Sequence, residues 1–527
     1  MTENKLFQDP FEGGPIPPQM KILRENLPME RFVGMAATQA VVEGEVALPG
    51  GLREETRVLS AEAMAVPQSQ ETGADRVEMG GKVIFHVLYT QGDPTLISAL
   101  EASAEFTHSM DVPGATQHMT AQCSAMVEHV EAAAQSGRLR LKAILRVSGR
   151  VLTSEPLSVV TGIQDMEGLM VKTCALGSCQ AVAAGAQDAL IRDEFELAEV
   201  LQVRDTLYAT AVATVSEVMG GEERATVSGS VLLEVLHRSG MPARPLVITR
   251  HSLPFEETVA LSGERGDALQ CDAIVKDVAV LSQDAGENGE RVLRAEVLLG
   301  LTARATRTRE AVALLDAYTT RGDALSPVTQ EVSRALEYRQ LHTAESGKLT
   351  LLLEGEQPPA RTPIKAFLRP ILTNAERQSG KLALEGMMET TLLYMTDESD
   401  VPISYSTEEP FRMTFACDVC DADSLTLVPT NIDVAGVTSD RVEVKYILHV
   451  FAYDVLLGAQ RLVSDVQREP AEPVSAGVTL YFAQPDETLW DIAKRYRVSP
   501  DGLKRMNPNL EGEGPFEAGQ SVILWRR

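Results

Sequence analysis

The sequence predicts a mainly β protein of three repeated antiparallel, β-sandwich-like domains, followed by a small α/β domain with the order β-α-α-β. Three observations carry this prediction. One pattern of residues occurs three times in the middle of the chain, and its segments alternate apolar and polar residues with a period of two. Only about the last fifty residues show the 3.6-residue period of amphipathic helices. A chain of 527 residues is long enough for several domains.

The clearest repeated feature is a glycine that precedes an apolar stretch. Each stretch ends in Tyr or His eight positions after the glycine, and a phenylalanine follows at a nearly constant interval. The three sets are Gly81, Tyr89 and Phe106; Gly229, His237 and Phe255; and Gly386, Tyr394 and Phe411. Within the first stretch Val83, Phe85 and Val87 alternate with other residues, which is typical of a strand.

A second feature recurs downstream of the first. An arginine begins each copy, and Ile or Val stands six positions later. The pairs are Arg138 and Ile144, Arg291 and Val297, and Arg441 and Ile447. Agreement at this many points indicates a triplicated unit. About seven short strands separated by Gly, Pro and Asp turns suggest an antiparallel sandwich or barrel-like sheet in each copy.

These repeats divide the chain into six predicted segments. They are a flexible N-terminal arm (1–32), β repeats at 33–170, 171–328 and 329–468, a Pro-rich linker (469–477) and the C-terminal domain (478–527). The arm is expected because prolines and adjacent glycines crowd the first residues. Little helix is expected within the repeats, and residues 38–40 and 328–336 are the best candidates for it.

The C-terminal domain shows clear helix start signals. Thr488 is a candidate N-cap with Asp491 three residues later, and Ser499 caps a second helix whose first residue is Pro500. Strand-like runs stand before and after the two helices. The apolar face of the first helix consists of Leu489, Ile492, Ala493 and Tyr496.

Net charge limits the classes of partner. A formal charge of −27 argues against nucleic-acid binding, which needs clustered Lys and Arg. The N-terminus has no basic segment followed by an apolar one, so no signal peptide is expected. No run approaches the roughly 18 apolar residues of a membrane span. The expected location is therefore the cytoplasm.

Catalytic and metal-binding patterns are missing from the sequence. It contains no phosphate-binding Gly-x₄-Gly-Lys-Ser/Thr loop, no Gly-x-Ser-x-Gly turn and no His-Glu-x-x-His pair. The cysteine pairs at 174/179 and 417/420 lack a second pair or histidines with zinc-ligand spacing, so buried thiols are expected. His129 between Glu128 and Glu131 most resembles an acid/base cluster, but a solvated strand face explains it. We predict no catalytic residues, metal or cofactor.

Residues 481–524 resemble the LysM domain, through Tyr481, the run from Thr488 to Ala493, Asn507-Pro508 and Ala518-Gly519-Gln520. The resemblance implies a shallow groove for N-acetylglucosamine-containing glycans or for a protein partner. Asp486 and Arg497 stand where the family usually has glycine. The implied groove residues are Asp486, Glu487, Thr488 and Leu489 on one side, and Asn507, Pro508, Asn509 and Leu510 on the other. Trp490 is either a binding hot spot or a cap on the small core.

The upstream repeats resemble the SPOCS domain of SipL-type spore-coat morphogenetic proteins, through the recurring Gly, the apolar strand ending in Tyr and the C-terminal LysM domain. This resemblance implies a non-enzymatic scaffold in the mother-cell cytoplasm. Its LysM module would dock a SpoIVA-like coat ATPase at the forespore surface. The alternative is a peptidoglycan-binding protein of the cell wall or cortex. A hydrolase with a site between the repeats is the least favoured interpretation.

Overall fold

The computed structural model describes residues 20–49, 55–135, 138–221, 223–285, 290–353, 357–378, 380–416, 424–438, 441–471, 477–508, 510 and 512–526. Predictions for residues 1–19, for Cys417 and Cys420, for most of the Pro-rich linker and for Asn509 therefore lie outside the described residues. Antiparallel strands dominate the described chain, which confirms the predicted mainly β fold class. No helix among the described residues is long and apolar enough to cross a membrane.

The first β unit follows an N-terminal strand, β1 (Lys21–Leu27). Its strands are β2 (Arg31–Val46), β3 (Arg57–Gly73), β4 (Arg76–Gln91), β5 (Asp93–Asp111), β6 (Thr120–Gln135) and β7 (Arg138–Thr153). They form two antiparallel layers, with the strand orders β3-β4-β5 and β2-β7-β6. The inner faces of both layers bury one apolar core, in which Phe85, Leu141 and Leu145 are almost fully enclosed.

The second β unit begins after β8 (Leu157–Gln164), which pairs with β1. Its strands are β9 (Leu169–Leu197), β10 (Val203–Gly220), β11 (Arg224–Ser239), β12 (Leu246–Ala260), the short β13 (Ser262–Gly263), β14 (Ala268–Ala285) and β15 (Glu290–Thr319). A single 3-10 turn, Glu199–Leu201, joins β9 to β10. The two layers have the orders β10-β11-β12 and β13-β9-β15-β14. Their facing sides form the second core.

The third β unit has the same arrangement. Its strands are β16 (Ala324–Leu352), β17 (Ala360–Gln378), β18 (Lys381–Thr396), β19 (Ile403–Phe415), β20 (Leu425–Val437) and β21 (Arg441–Glu469). One layer is β17-β18-β19, and β16-β21-β20 forms the other. In all three units the first strand pairs with the last, and the last pairs with the one before it. The first and third units have six described strands each, where about seven were expected.

Strand pairing explains the repeated glycine and phenylalanine. In each unit the glycine of the middle strand lies directly opposite the phenylalanine of the next strand, as Gly229 lies opposite Phe255. A Cβ at Gly229 would overlap the ring of Phe255 and the carbonyl oxygen of Thr214. A register shift stands opposite each glycine in the preceding strand. The constant spacing between the glycine and the phenylalanine therefore reflects the same packing contact in each of the three units.

Contacts among the three units are apolar at their centre. Leu88, Leu236 and Leu393, each seven residues after its glycine, are buried together in one cluster. The first and third units also share a six-stranded sheet, because β2 meets β16 where Arg31 pairs with Arg334. A buried ion pair of 3.1 Å joins Arg150 to Asp454 across these same two units.

Several predicted boundaries and helices are wrong. The flexible arm of 1–32 extends too far, because Lys21–Leu27 is paired along its whole length with β8. The repeat boundaries at 170/171 and 328/329 fall inside β9 and β16, whose preceding turns are at 165–168 and 320–323. Residues 38–40 and 328–336 are strands instead of helices. Pairing with β7 and β21 overrides the helical propensity of their alanines and other good helix formers.

The C-terminal module is the only part of the described chain with α-helices. It consists of β22 (Gly477–Phe482), α1 (Leu489–Arg495), α2 (Pro500–Met506) and β23 (Ser521–Arg526). β22 and β23 pair antiparallel, so the predicted β-α-α-β order is confirmed. Leu489, Ile492, Ala493, Leu503 and Leu524 fill its small core.

Candidate functional site

Hydrogen bonds at their N-caps stabilise both helices of the LysM-like module. The Thr488 side chain accepts a hydrogen bond from the Asp491 backbone N–H, and the Asp491 carboxylate accepts one of 2.9 Å from the Thr488 N–H. Ser499 likewise accepts from the N–H of Gly502 at 3.1 Å. The predicted capping box and second N-cap are confirmed. They fix the directions in which both helices leave the expected groove.

The Glu487 side chain holds other parts of the module together and does not face an open groove. We call residues with this role the frame of the module. Glu487 is 9% exposed, and its carboxylate accepts hydrogen bonds of 2.8 Å from the Tyr481 hydroxyl and from the Gln484 N–H. Arg495 pairs with it at 2.6 Å. Burial acts to raise the pKa of Glu487, but these hydrogen bonds and the Arg495 charge outweigh it and lower the pKa. Most of the Glu487 carboxylate is thus engaged inside the module.

Asn507 is a second frame residue. Its side-chain amide donates to the carbonyl oxygens of Leu503 at 2.9 Å and Ile523 at 2.8 Å, and it accepts from the Ile523 N–H at 2.6 Å. The amide thus bonds the outer edge of β23 as another strand would. With 7% exposure, Asn507 joins the end of α2 to the sheet.

The segment before β23 is hydrogen-bonded to one side of the expected groove. The Leu489 N–H donates to the Glu513 carbonyl at 2.8 Å, and the Phe516 N–H donates to the Glu487 carbonyl at 2.9 Å. Of the predicted groove residues, Asp486 and Pro508 are exposed, and Thr488 and Leu510 are half-buried. Leu489 lies in the core, and Asn509 is not among the described residues.

Backbone conformation explains where the LysM pattern usually has glycine. Asp486 has φ 65° and Arg497 has φ 53°, and both values lie in the left-handed region. Glycine enters this region without a steric penalty, whereas other L-residues do so at some cost. The chain keeps the LysM backbone at both positions and gains a side chain at each.

Trp490 points away from the expected groove, toward the second β unit. Its indole N–H donates to Asp316 at 2.8 Å, and its ring meets the edge of Tyr318 at 5.0 Å between centroids. Trp490 thus packs at the border of the module's core, together with a residue of β15.

An exposed apolar face was missed by the sequence reasoning. Val478 is 71% exposed on β22 and lies opposite Trp525, which is 45% exposed. The neighbouring residues of this sheet face are Leu480, Phe482 and Ile523, all of them exposed. The signal was present, because both strands carry apolar residues at successive positions whereas one face alone can meet the helices. We call these five residues the sheet face.

The predicted acid/base cluster and the described cysteines lie on strands of the first and second β units. His129 lies 2.8 Å from Glu131, and this hydrogen bond lowers the pKa of the exposed Glu131 carboxyl. No group of three His, Cys, Asp or Glu able to hold a metal is found in the described ranges. Cys123, Cys174, Cys179 and Cys271 are free thiols.

A cavity of about 1080 Å³ lies between the three β units. Two pairs of its polar side chains bond with each other. The Tyr208 hydroxyl donates to Glu62 at 3.0 Å, and Lys365 pairs with Glu234 at 3.0 Å. Burial and the neighbouring Glu62 raise the pKa of Tyr208 well above its usual value, so it stays protonated at neutral pH. This arrangement is typical of packing between units.

Comparison with known families finds two domains. Residues 56–135 match the family model of the SipL SPOCS domain, and residues 482–525 match that of the LysM domain. No curated protein and no solved structure matches the chain. Both matched domain types are non-catalytic binding or scaffold modules, and they indicate a sporulation-related protein with a peptidoglycan-binding type of module. The chain thus contains a SipL-type SPOCS domain within its first β unit and a LysM domain at its C-terminal end.

Proposed function

We propose that this protein is a non-enzymatic adaptor of spore-coat assembly, and that its LysM module docks a SpoIVA-like coat protein at the forespore surface in the mother-cell cytoplasm. The observation that carries the proposal is the sheet face. Five exposed apolar side chains on a two-stranded sheet are too many for a surface that meets only water.

The chemistry of the sheet face favours a protein partner. Val478, Leu480 and Ile523 are aliphatic, and together with Phe482 and Trp525 they offer no side-chain charge. Protein interfaces have such apolar centres with aromatic anchors, whereas glycan sites need polar groups that satisfy hydroxyls. A protein with a complementary apolar patch therefore fits this face better than a glycan does.

The expected groove has fewer free groups than its sequence implied. Glu487, Leu489 and Asn507 serve the frame, which leaves the exposed Asp486 and Pro508 at the surface. The groove forms the rim of the docking surface in this proposal, and the sheet face forms its centre.

Affinity capture from sporulating cells tests the docking. Leu480→Glu places a charge in the sheet face and is expected to lower recovery of the coat partner at least tenfold, since a buried unpaired charge is costly. Thr479→Glu, on the opposite side of the same strand, is the matched control and should keep recovery. Deletion of residues 478–527 should abolish it. Unchanged recovery after this deletion would overturn the docking.

Peptidoglycan binding is the second candidate, supported by the LysM match. It predicts that the chain sediments with purified peptidoglycan. Asp486→Gly restores the residue that LysM domains usually have, and φ 65° suits glycine, so this variant should sediment more strongly if the groove takes glycan. No sedimentation of either form at high protein concentration would remove this candidate.

The roles of the other β units belong to the same proposal. The shared strand order and the glycine–phenylalanine pairing support three SPOCS-type repeats acting as a scaffold. A fluorescent fusion should form a ring around the forespore during sporulation. A signal over the envelope of vegetative cells would instead favour the wall-binding alternative.

A further inference from the structure

The LysM module makes a specific set of contacts with the end of the second β unit. Lys494 pairs with Asp316 at 2.6 Å, and the same carboxylate accepts the Trp490 indole N–H. The Tyr318 hydroxyl donates to the Val498 carbonyl at 2.7 Å. The second β unit therefore contacts the module at both ends of α1, at Trp490 near its start and at Val498 just beyond its end.

Arg497 adds a second group of contacts. Its guanidinium donates to the carbonyl and hydroxyl oxygens of Thr319, at 2.9 and 3.0 Å, and to the Gly322 carbonyl at 2.7 Å. Glycine, the residue usual in LysM domains at this position, could make none of these bonds. The side chain gained there is thus used for contact with the β15–β16 turn.

The surface of the second β unit that contacts the module contains a β-bulge in β15. A register shift between Leu314 and Asp316 interrupts the pairing of β15 with β9, and such a bulge redirects the side chains beside it. Tyr318 is 3% exposed and belongs to the same apolar cluster as Leu489 and Ile492 of the module. The second unit therefore completes the core of the module.

The residue pair Asp316 and Tyr318 distinguishes the second β unit from the other two in the sequence. Asp316 and Tyr318 stand 25 and 27 residues after Arg291. The corresponding residues after Arg138 are Ile163 and Asp165, and those after Arg441 are Val466 and Arg468. Neither of the other units combines an acid with an aromatic residue at these positions. The module therefore has a matching contact surface on one of the three related units.

We propose that the LysM module is docked on the second β unit as a fixed part of the molecule, with Trp490 and Arg497 as anchors of this intramolecular interface. Trp490 is therefore not a hot spot for an external partner. Docking covers the α1 side of the module, and it leaves the sheet face and its rim directed outward.

Tryptophan fluorescence of the full-length chain tests this proposal. The only two tryptophans are both in the module, so Trp525→Phe leaves Trp490 as the single reporter. In this background Asp316→Ala should shift Trp490 emission to longer wavelength and increase its quenching by acrylamide. Loss of a charged hydrogen-bond partner should lower the ratio of docked to undocked molecules by about ten- to a hundredfold.

Arg497→Gly separates undocking from unfolding, because glycine fits φ 53° without strain. It should increase Trp490 quenching and the radius of gyration in solution scattering, with the helical signal retained. The matched control is Asp188→Asn, which removes an aspartate paired with Lys276 elsewhere in the second unit and should leave both readouts unchanged. Unchanged emission in Asp316→Ala and Arg497→Gly, or an equal shift in Asp188→Asn, would overturn the proposal.

Discussion

Replacing Asn507 by alanine should destabilise the LysM module without removing any group that faces solvent. The substitution deletes three hydrogen bonds of 2.6 to 2.9 Å. It leaves the Ile523 N–H and two carbonyl oxygens without this partner at a site that is 7% exposed. Each buried polar group left unsatisfied costs roughly 1–3 kcal/mol, and burial of both Ile523 groups is partial. We therefore expect a loss of about 2–4 kcal/mol.

This loss is large for so small a module. About fifty residues at roughly 0.1 kcal/mol each give a free energy of unfolding near 5 kcal/mol. With a urea slope of about 1 kcal/mol/M, the unfolding midpoint of the Asn507→Ala module should fall by about 2–4 M. Both tryptophans lie in the module, so tryptophan fluorescence during urea titration of the full-length chain reports on this domain and on its contact with the second β unit.

Two variants make the measurement specific. Pro508→Ala changes an exposed neighbour and should shift the midpoint by little. Asn507→Asp keeps the shape and an acceptor but loses both donated bonds, so it should also destabilise the module. The reasoning is refuted if Asn507→Ala has the wild-type midpoint, and more so if it then loses ligand, since Asn507 would in that case contact the ligand directly.

Three further predictions concern the β units. Gly229→Ala should destabilise the second unit by several kcal/mol because its Cβ overlaps a backbone carbonyl and a ring, whereas Gly177→Ala, with open space around it, should have little effect in thermal unfolding. Asp454→Ala should cost about 3–5 kcal/mol, because it leaves Arg150 buried between the first and third units; hydrogen exchange of β7 and β21 reports the loss. Burial, then nearby cationic groups, lower the pKa of His237 to about 4. Its unfolded form binds the proton first, so stability should fall as pH drops from about 6.5 to 4, by on the order of 3 kcal/mol. His237→Gln should remove that part of the pH dependence, and an unchanged profile would contradict it.

Local patterns were sufficient to predict the repeat and the helix caps. The glycine–phenylalanine spacing is visible in the sequence because any side chain at the glycine would overlap the phenylalanine ring of the adjacent strand. A capping box needs only residues three positions apart. The predicted helices at 38–40 and 328–336 were wrong because their partners in β7 and β21 are more than a hundred residues away. Local propensity carries no information about such pairing.

The sequence by itself thus determined the β class and the β-α-α-β module from short-range periodicity, and the triplicated unit from one pattern that recurs along the chain. Only the tertiary structure decided which residues of the module are free to bind. Glu487 and Asn507 are engaged by partners inside the module, and Trp490 is engaged by Asp316, which stands 174 residues earlier in the chain. The sheet face became visible once the helices were seen to cover one side of β22 and β23. Exposure is a property of the whole packed chain, and for that reason no local motif contains it.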